Sequence, residues 1–482
     1  MNLTVVEFLF LVYFALMNVG YAIGLTTTVR ELARSMRRHQ TLRFDALLLG
    51  QTHKPISLLV PAYNEEATIE ASVRSFLNLR YPQFEVIVVN DGSRDRTLDV
   101  LNATFDLHPA QMVVPLTIPT RSVRGTYRSA REDRLIVIDK DNGGKADSLN
   151  VAMQYARYPL FCALDADSLL DEEALLRVAR RFADDDNLLV VGGTVRPLNG
   201  AVFHDGRIVD LHLPATAVER FQLVEYIRAF LVGRTTLSAY GLLLIISGAF
   251  GLFRRDVALQ VGGYAHDTVG EDMELIVRLH RHAREQRRPY AITYVIDPIC
   301  WTQVPDTWNL LRRQRDRWQR GLIEALWKHR RMFLNPRYGR IGLISMPYYV
   351  FFEALAPVIE LTGYALAVGL VVTGKFSAPF VALFFLLATA YGTLISFSAQ
   401  SVEVFLRQRI SRPGDRLRLL GFALLDNLGF RQWTLLIRFW ATLTGPLRAG
   451  QWGKMERRRI DTGTPPTPPP DAGDSPRNPD PT

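Results

Sequence analysis

The sequence predicts an α/β fold: a largely parallel sheet with helices on both faces. Three observations carry this reading. Short apolar runs alternate with amphipathic helical stretches from Pro55 to Gly193. Polar turn motifs follow those runs at the strand ends. Long apolar segments are confined to the N-terminus and to the chain after Ile341, so the middle reads as a soluble domain. Repeated βα units call for parallel strands joined by crossover helices. In order, the pattern predicts a strand over 56–60, a helix over 67–79, a strand over 85–90 and a helix over 97–105. A strand over 135–139, a helix over 145–155, a strand over 160–164, a helix over 172–182 and a strand over 188–193 follow.

Ligands of such sheets gather at the carboxyl ends of the strands. Pro61-Ala62-Tyr63-Asn64-Glu65-Glu66 follows the first strand, and Asn90-Asp91-Gly92-Ser93 the second. After the third comes Asp141-Asn142-Gly143-Gly144-Lys145, where free backbone N–H groups and one lysine suit a phosphate or a sugar hydroxyl. After the fourth come Asp165 and Asp167. Two hard oxygen ligands side by side suit a divalent cation that also grips phosphate. Any one of these, taken singly, reads as an ordinary loop; their common placement at strand ends gives them weight. A dinucleotide-binding G-x-G-x-x-G does not follow the first strand, and G-x-x-x-x-G-K-[ST] does not occur.

The chain has 482 residues, room for two or three domains or for one domain and a membrane part. Its two cysteines, Cys162 and Cys300, provide no disulfide framework and fit a reducing cytosolic compartment. The net charge of +9 does not point to nucleic acid, because the basic residues cluster beside apolar segments, at 30–38, 312–340, 407–418 and 448–459. That is where positive-inside charges and contacts to anionic lipid belong.

Residues 3–25 are long enough to span a bilayer and carry one charge, Glu7. Basic residues follow this run instead of preceding it, so it reads as a retained anchor over 1–28, not a cleaved signal peptide. The N-terminus is then outside and the next domain cytosolic. Residues 341–374 exceed one untilted span, and Pro357 divides them into an interfacial or half-inserted part and a span over 358–373. Residues 379–401 return to the cytosol, closing a hairpin over 341–404. Residues 416–446 carry Asp426, Arg431 and Arg438. They read as re-entrant or in-plane more readily than as a span, which would place the basic 448–459 outside. Glu353, Glu360 and Asp426 either line a wet path or sit at the interface with their heads in water. The tail over 460–482, rich in Pro, Thr and Asp, is expected to be disordered.

The run SLLVPAYNEEATIEASVRSFLNLRYPQFEVIVVNDGSRDRT, then DNGGKADSLN, ALDADS, GED and QRDRW, resembles the processive, membrane-embedded family 2 inverting glycosyltransferases. That group includes the poly-N-acetylglucosamine, chitin-oligosaccharide, hyaluronan and cellulose synthases. The resemblance covers 56–322 and implies a GT-A domain over 50–300 and an interfacial helix region over 301–340. It implies a UDP-sugar donor held with Mg²⁺ or Mn²⁺. Asp91 and Gly92, with the turn Ala62, Tyr63, Asn64 and Glu65, would take the nucleotide. Lys145, Asp165 and Arg317 would contact donor and diphosphate, and Asp165 and Asp167 the metal.

Asp272 resembles the general base of this family, although Gly270-Glu271-Asp272 has glycine where threonine is usual. The structural alternative is an acidic pair complementing a helix dipole. Gly248, Ala249 and Phe250 resemble the acceptor loop, with Glu271, Gln314 and Trp318 also on the acceptor side. The family's activity would be elongation of a β-linked cell-surface or extracellular polysaccharide at a bacterial inner membrane, with passage of the product through the enzyme's own helices. So few spans would call for a homodimer or a secretion partner to complete a pore. The alternatives are a non-processive transferase acting on a lipid acceptor and an inactive scaffold in a membrane assembly.

Overall fold

The computed structural model of the protein describes residues 3–41, 53–204, 207–374, 378–404 and 412–445. The tail over 460–482 and the basic stretch 448–459 lie outside the described residues, as do 407–411 of the stretch 407–418. The described strands are β1 (Ile56–Ala62), β2 (Phe84–Asp91), β3 (Leu107–Pro109), β4 (Val123–Ser129), β5 (Leu135–Lys140) and β6 (Leu160–Leu164). They continue with β7 (Ser168–Leu170), β8 (Leu188–Pro197), β9 (Ala201–His204), β10 (Arg207–Leu211), β11 (Phe250–Arg254) and β12 (Ala291–Thr302). All but the β9–β10 hairpin join one sheet, ordered β3-β4-β5-β2-β1-β6-β11-β8-β12-β7.

The parallel heart of this sheet is β5-β2-β1-β6. Its strands are buried almost throughout, because helices cover both faces and leave no polar side to alternate with. The helices Thr97–Phe105 and Lys145–Tyr155 have their predicted bounds. The predicted helix over 67–79 is shorter, Ile69–Leu77, and Thr68 just ahead of it donates its Oγ1 hydrogen to Glu65 Oε2 at 2.8 Å.

β6 and β8 are separated by β11, antiparallel to both. Five residues with no βα context give β11 no signature of its own. Its insertion matters for the site. An antiparallel strand brings its amino end to the carboxyl edge of its neighbours, and Phe250 pairs with Leu164. The loop before β11, Ser247–Ala249, therefore arrives beside Asp165.

Among the described residues, two helices are long and apolar enough to cross a membrane, Val5–Ser35 and Ala378–Val402. A third candidate is the pair Ile341–Ala354 and Ala356–Val372, bent by 48°. The bend falls at Leu355, just ahead of Pro357, whose ring nitrogen cannot continue the ladder. Residues 416–446 form two helices, Pro413–Leu425 and Phe430–Thr444, broken at Asp426–Leu428.

Neither reading of Asp426 holds. It is fully buried and paired with Arg228, while Ser396 Oγ donates to the same carboxylate oxygen at 3.3 Å. Glu360 is also buried, accepting from Arg431 Nη2 at 2.9 Å, but unlike Asp426 it borders a cavity, as Glu353 does. A charge among apolar helices is tolerable when a countercharge and hydrogen bonds satisfy it. These partners lie far apart in sequence, so only the packed bundle reveals them.

Candidate active site

The carboxyl edge of β5-β2-β1-β6 gathers the predicted motifs. In register, Ala62 stands beside Asn90, and Asn90 beside Asp139. The loops after β1 and β2 are stitched together. Asn64 N–H donates to Ser93 Oγ at 3.0 Å, Arg94 N–H donates to Asn64 Oδ1 at 2.8 Å, and Glu65 N–H donates to Thr97 Oγ1 at 2.8 Å. Tyr63 is 44% exposed, whereas Ala62 and Glu65 are buried.

Asp91 is turned inward. Its carboxylate accepts from the Gly143 N–H at 2.9 Å, the Gly144 N–H at 2.8 Å and Lys140 Nζ at 2.5 Å. Lys140 is itself fully buried, 2.8 Å from Asp147. In this arrangement Asp91 shapes the loop that presents Lys145. The signal was in the sequence: a lysine ending β5 needs a buried countercharge once β2 and β5 pair.

A cavity of about 1400 Å³ opens beyond this edge. Lys145, Asp165, Asp167, Gly248, Glu271 and Asp272 line one end of it, and Ala249, Gln314, Arg317 and Trp318 lie alongside. Ala62, Tyr63, Asn64, Glu65, Asp91 and Gly92 do not line it. Lys145 is the hub: its Nζ is 2.5 Å from Asp165 Oδ1, 3.8 Å from Glu271 Oε1 and 3.3 Å from the Gly248 carbonyl. Gly248 N–H in turn donates to Asp272 Oδ2 at 3.0 Å. A Cβ on Gly248 would lie 3.0 Å from Lys145 Nζ and 3.3 Å from Asp272 Oδ2, so glycine allows this closeness. Phe250 departs from expectation. As the first residue of β11 it is fully buried in the core and does not reach the cavity.

Burial would lower the Lys145 ammonium pKa, but Asp165 and Glu271, with Asp272, outweigh it and the net shift is upward. Burial pushes the Glu271 carboxyl from its ordinary 4.5 up to about 7, against the lowering pull of Lys145 and with help from Asp272. Between those values the folded protein holds a proton that the unfolded chain has released. This group's contribution to stability therefore falls as pH rises through that window and is flat above it. Glu271→Gln is expected to remove that part of the fall, read as thermal unfolding of the detergent-solubilised protein from about pH 4.5 to about pH 8.

Trp318 is 44% exposed on the helix Trp308–Lys328. The Arg315 guanidinium stacks on its ring 4.2 Å from the centroid, and the Tyr226 ring lies 6.4 Å away. Arg315 is held by Glu225 at 2.5 Å and by the Gln314 amide oxygen at 3.0 Å. Gln314 thus buttresses the platform. Arg315 and Tyr226 were not foreseen, because nothing local marks a guanidinium that will stack one turn along.

The donor set at Asp165 and Asp167 is two hard carboxylates at a strand end. It suits a divalent cation that completes its sphere with phosphate oxygens and water. Among the described residues no group of three or more His, Cys, Asp or Glu converges as a closed metal cage.

Residues 57–262 match Glycosyl transferase family 2, and residues 160–395 match Glycosyl transferase family group 2. The chain is a family 2 glycosyltransferase. This glycosyltransferase is 28% identical over 300 residues to the poly-β-1,6-N-acetyl-D-glucosamine synthase of Staphylococcus aureus (strain COL), covering 62% of this chain and 60% of the relative. The Staphylococcus epidermidis synthase of the same name is 28% identical over 290 residues, 59% of each chain. The matched region thus spans about 60% of the length of these curated relatives. Among solved structures, the mannosyltransferase PcManGT from Pyrobaculum calidifontis, in complex with GDP-Man and Mn²⁺, aligns with a TM-score of 0.49 at 18% identity. It covers 86% of this chain and 99% of that one.

Proposed function

We propose that this glycosyltransferase elongates a β-linked polysaccharide from a UDP-sugar by single in-line displacement with inversion. The observation that carries this reading is the continuity of the cavity. It runs from Asp272 past Trp318 to Tyr21, Phe352, Glu353, Glu360, Arg431 and Arg438 among the apolar helices. A path that ends on hydrogen-bonding groups suits a hydroxyl-rich chain better than an acyl tail.

An acceptor hydroxyl attacks the anomeric carbon, the bond to the UDP oxygen breaks, and Asp272 accepts the hydroxyl proton. The Gly248 N–H orients one Asp272 oxygen, and the Met273 N–H holds the other at 2.8 Å. Lys145 and Arg317 face the leaving diphosphate. Asp165 and Asp167 would hold Mg²⁺ or Mn²⁺, which when bound neutralises charge on the departing phosphates. Exposed Tyr63 and Asn64, with Gly92, form the nucleotide side, and Asp91 fixes the Lys145 loop. Trp318 offers the apolar edge of its indole to the acceptor sugar. Gln314 and Arg315 brace it, while Gly248, Ala249 and Glu271 border the acceptor.

The Val5–Ser35 helix anchors the enzyme in a bacterial inner membrane, N-terminus outside, with the sheet domain on the cytosolic face. The test is a panel of UDP-sugars on purified membranes, following UDP release and sizing the product. One donor should yield long polymer. A single glycosylated lipid would replace this reading with the lipid-acceptor one, and turnover of no donor would return the protein to a scaffold.

A further inference from the structure

We propose that Glu324, together with the backbone contact between Gly270 and Gly321, is a positioning device. It sets the distance between the Asp272 carboxylate and the Trp318 platform. The proposal rests on the roles given above to Asp272 and Trp318.

The helix Glu271–Glu285, which begins with Glu271 and Asp272, crosses the helix Trp308–Lys328 at its very first turn. There the two helices touch backbone to backbone. A Cβ on Gly270 would lie 2.8 Å from Gly321 Cα, and a Cβ on Gly321 would lie 2.8 Å from Gly270 Cα. No side chain can swing aside to relieve such a contact. This accounts for glycine where T-E-D is usual.

One turn beyond Gly321, Glu324 Oε2 accepts from both Thr268 Oγ1 and the Val269 N–H, each at 2.9 Å. Thr268 Oγ1 in turn accepts from the Gly270 N–H at 3.1 Å. A turn further, Lys328 Nζ pairs with Asp267 at 2.6 Å, and His329 Nε2 meets buried Glu274 at 3.0 Å. Residues 321, 324 and 328 therefore form one helical face that grips 267–270. Trp318 lies one turn before Gly321, about 4.5 Å along the axis. Asp272 follows Gly270 by two residues.

Glu324 does not line the cavity, so it acts through the groups it holds. Its carboxylate fixes the segment that launches the base helix. The glycine contact fixes how closely that segment approaches the acceptor helix. A shift of about 1 Å at a reacting pair costs on the order of 10²-fold in rate.

The test uses the full chain in membranes, with the UDP-sugar that the donor panel shows to be turned over and with UDP as binding probe. Glu324→Ala is expected to lower kcat for transfer about 10²-fold with donor KM within about twofold, and to raise the share of UDP released without transfer. Glu324→Gln keeps an oxygen that accepts both hydrogen bonds and should recover to within about fivefold of the parent. Gly321→Ala should repeat the kcat-only loss while UDP still binds. The proposal is overturned if Glu324→Ala transfers at the parent rate, if Gln and Ala are equally impaired, or if Glu324→Ala loses UDP binding along with turnover. Asp272→Asn run alongside separates the two ideas. Turnover in that variant removes the base assignment itself. A dead Asp272→Asn beside a fully active Glu324→Ala removes the positioning device alone.

Discussion

Asp272→Asn should reduce sugar transfer by about 10³-fold while UDP binding persists. General-base catalysis is typically worth about 10²- to 10⁴-fold, and the amide keeps the shape of the side chain but cannot take the acceptor proton. The contacts that place the residue favour an effect on kcat. The Gly248 N–H donates to Oδ2 and the Met273 N–H to Oδ1, and the single amide oxygen keeps one of these two contacts. Lys145 and Asp165, on the donor side, form their own pair and do not depend on Asp272 for it. The measurement is single-turnover transfer of radiolabelled sugar beside equilibrium binding of UDP. Full transfer by Asp272→Asn would remove it as the base. Loss of both signals would show that the residue supports the site more broadly.

Chelation is the second large effect. EDTA should lower transfer by at least about 10²-fold, with Mg²⁺ or Mn²⁺ restoring it, because a cation on the leaving diphosphate supplies several kcal/mol of charge stabilisation. Two strand-end carboxylates hold such an ion weakly without phosphate, so it should dissociate readily from the free enzyme. Asp167→Asn should show the same loss at ordinary metal concentration, partly recovered by excess metal. Its side chain is buried, at 1% exposure, so a substitution that keeps its size is the suitable one. Undiminished activity in EDTA would leave the diphosphate to Lys145 and Arg317 alone.

The central strands and the helices Thr97–Phe105 and Lys145–Tyr155 were legible because their signals are local: an apolar run, a helical period, a polar turn. The antiparallel strands were not. β11 is five residues long, and nothing inside it says that it will part β6 from β8. The site divided in the same way. Lys145, Asp165, Asp167, Glu271, Asp272 and Trp318 do line one cavity. The resemblance of Gly248-Ala249-Phe250 to an acceptor loop puts Phe250 there too, and the strand that begins at it buries its ring in the core instead.

The order of motifs along the chain determined the fold class and the family, since each motif is a contiguous stretch whose meaning survives without its neighbours. Tertiary structure alone decided what each polar side chain is paired with. Asp91 holds the loop before Lys145, Asp426 neutralises Arg228, and Gly270 meets Gly321. The physical reason is common to all three. A buried charge or a bare backbone contact is stable only against one particular partner, and that partner arrives from a distant part of the chain when the sheet and helices pack.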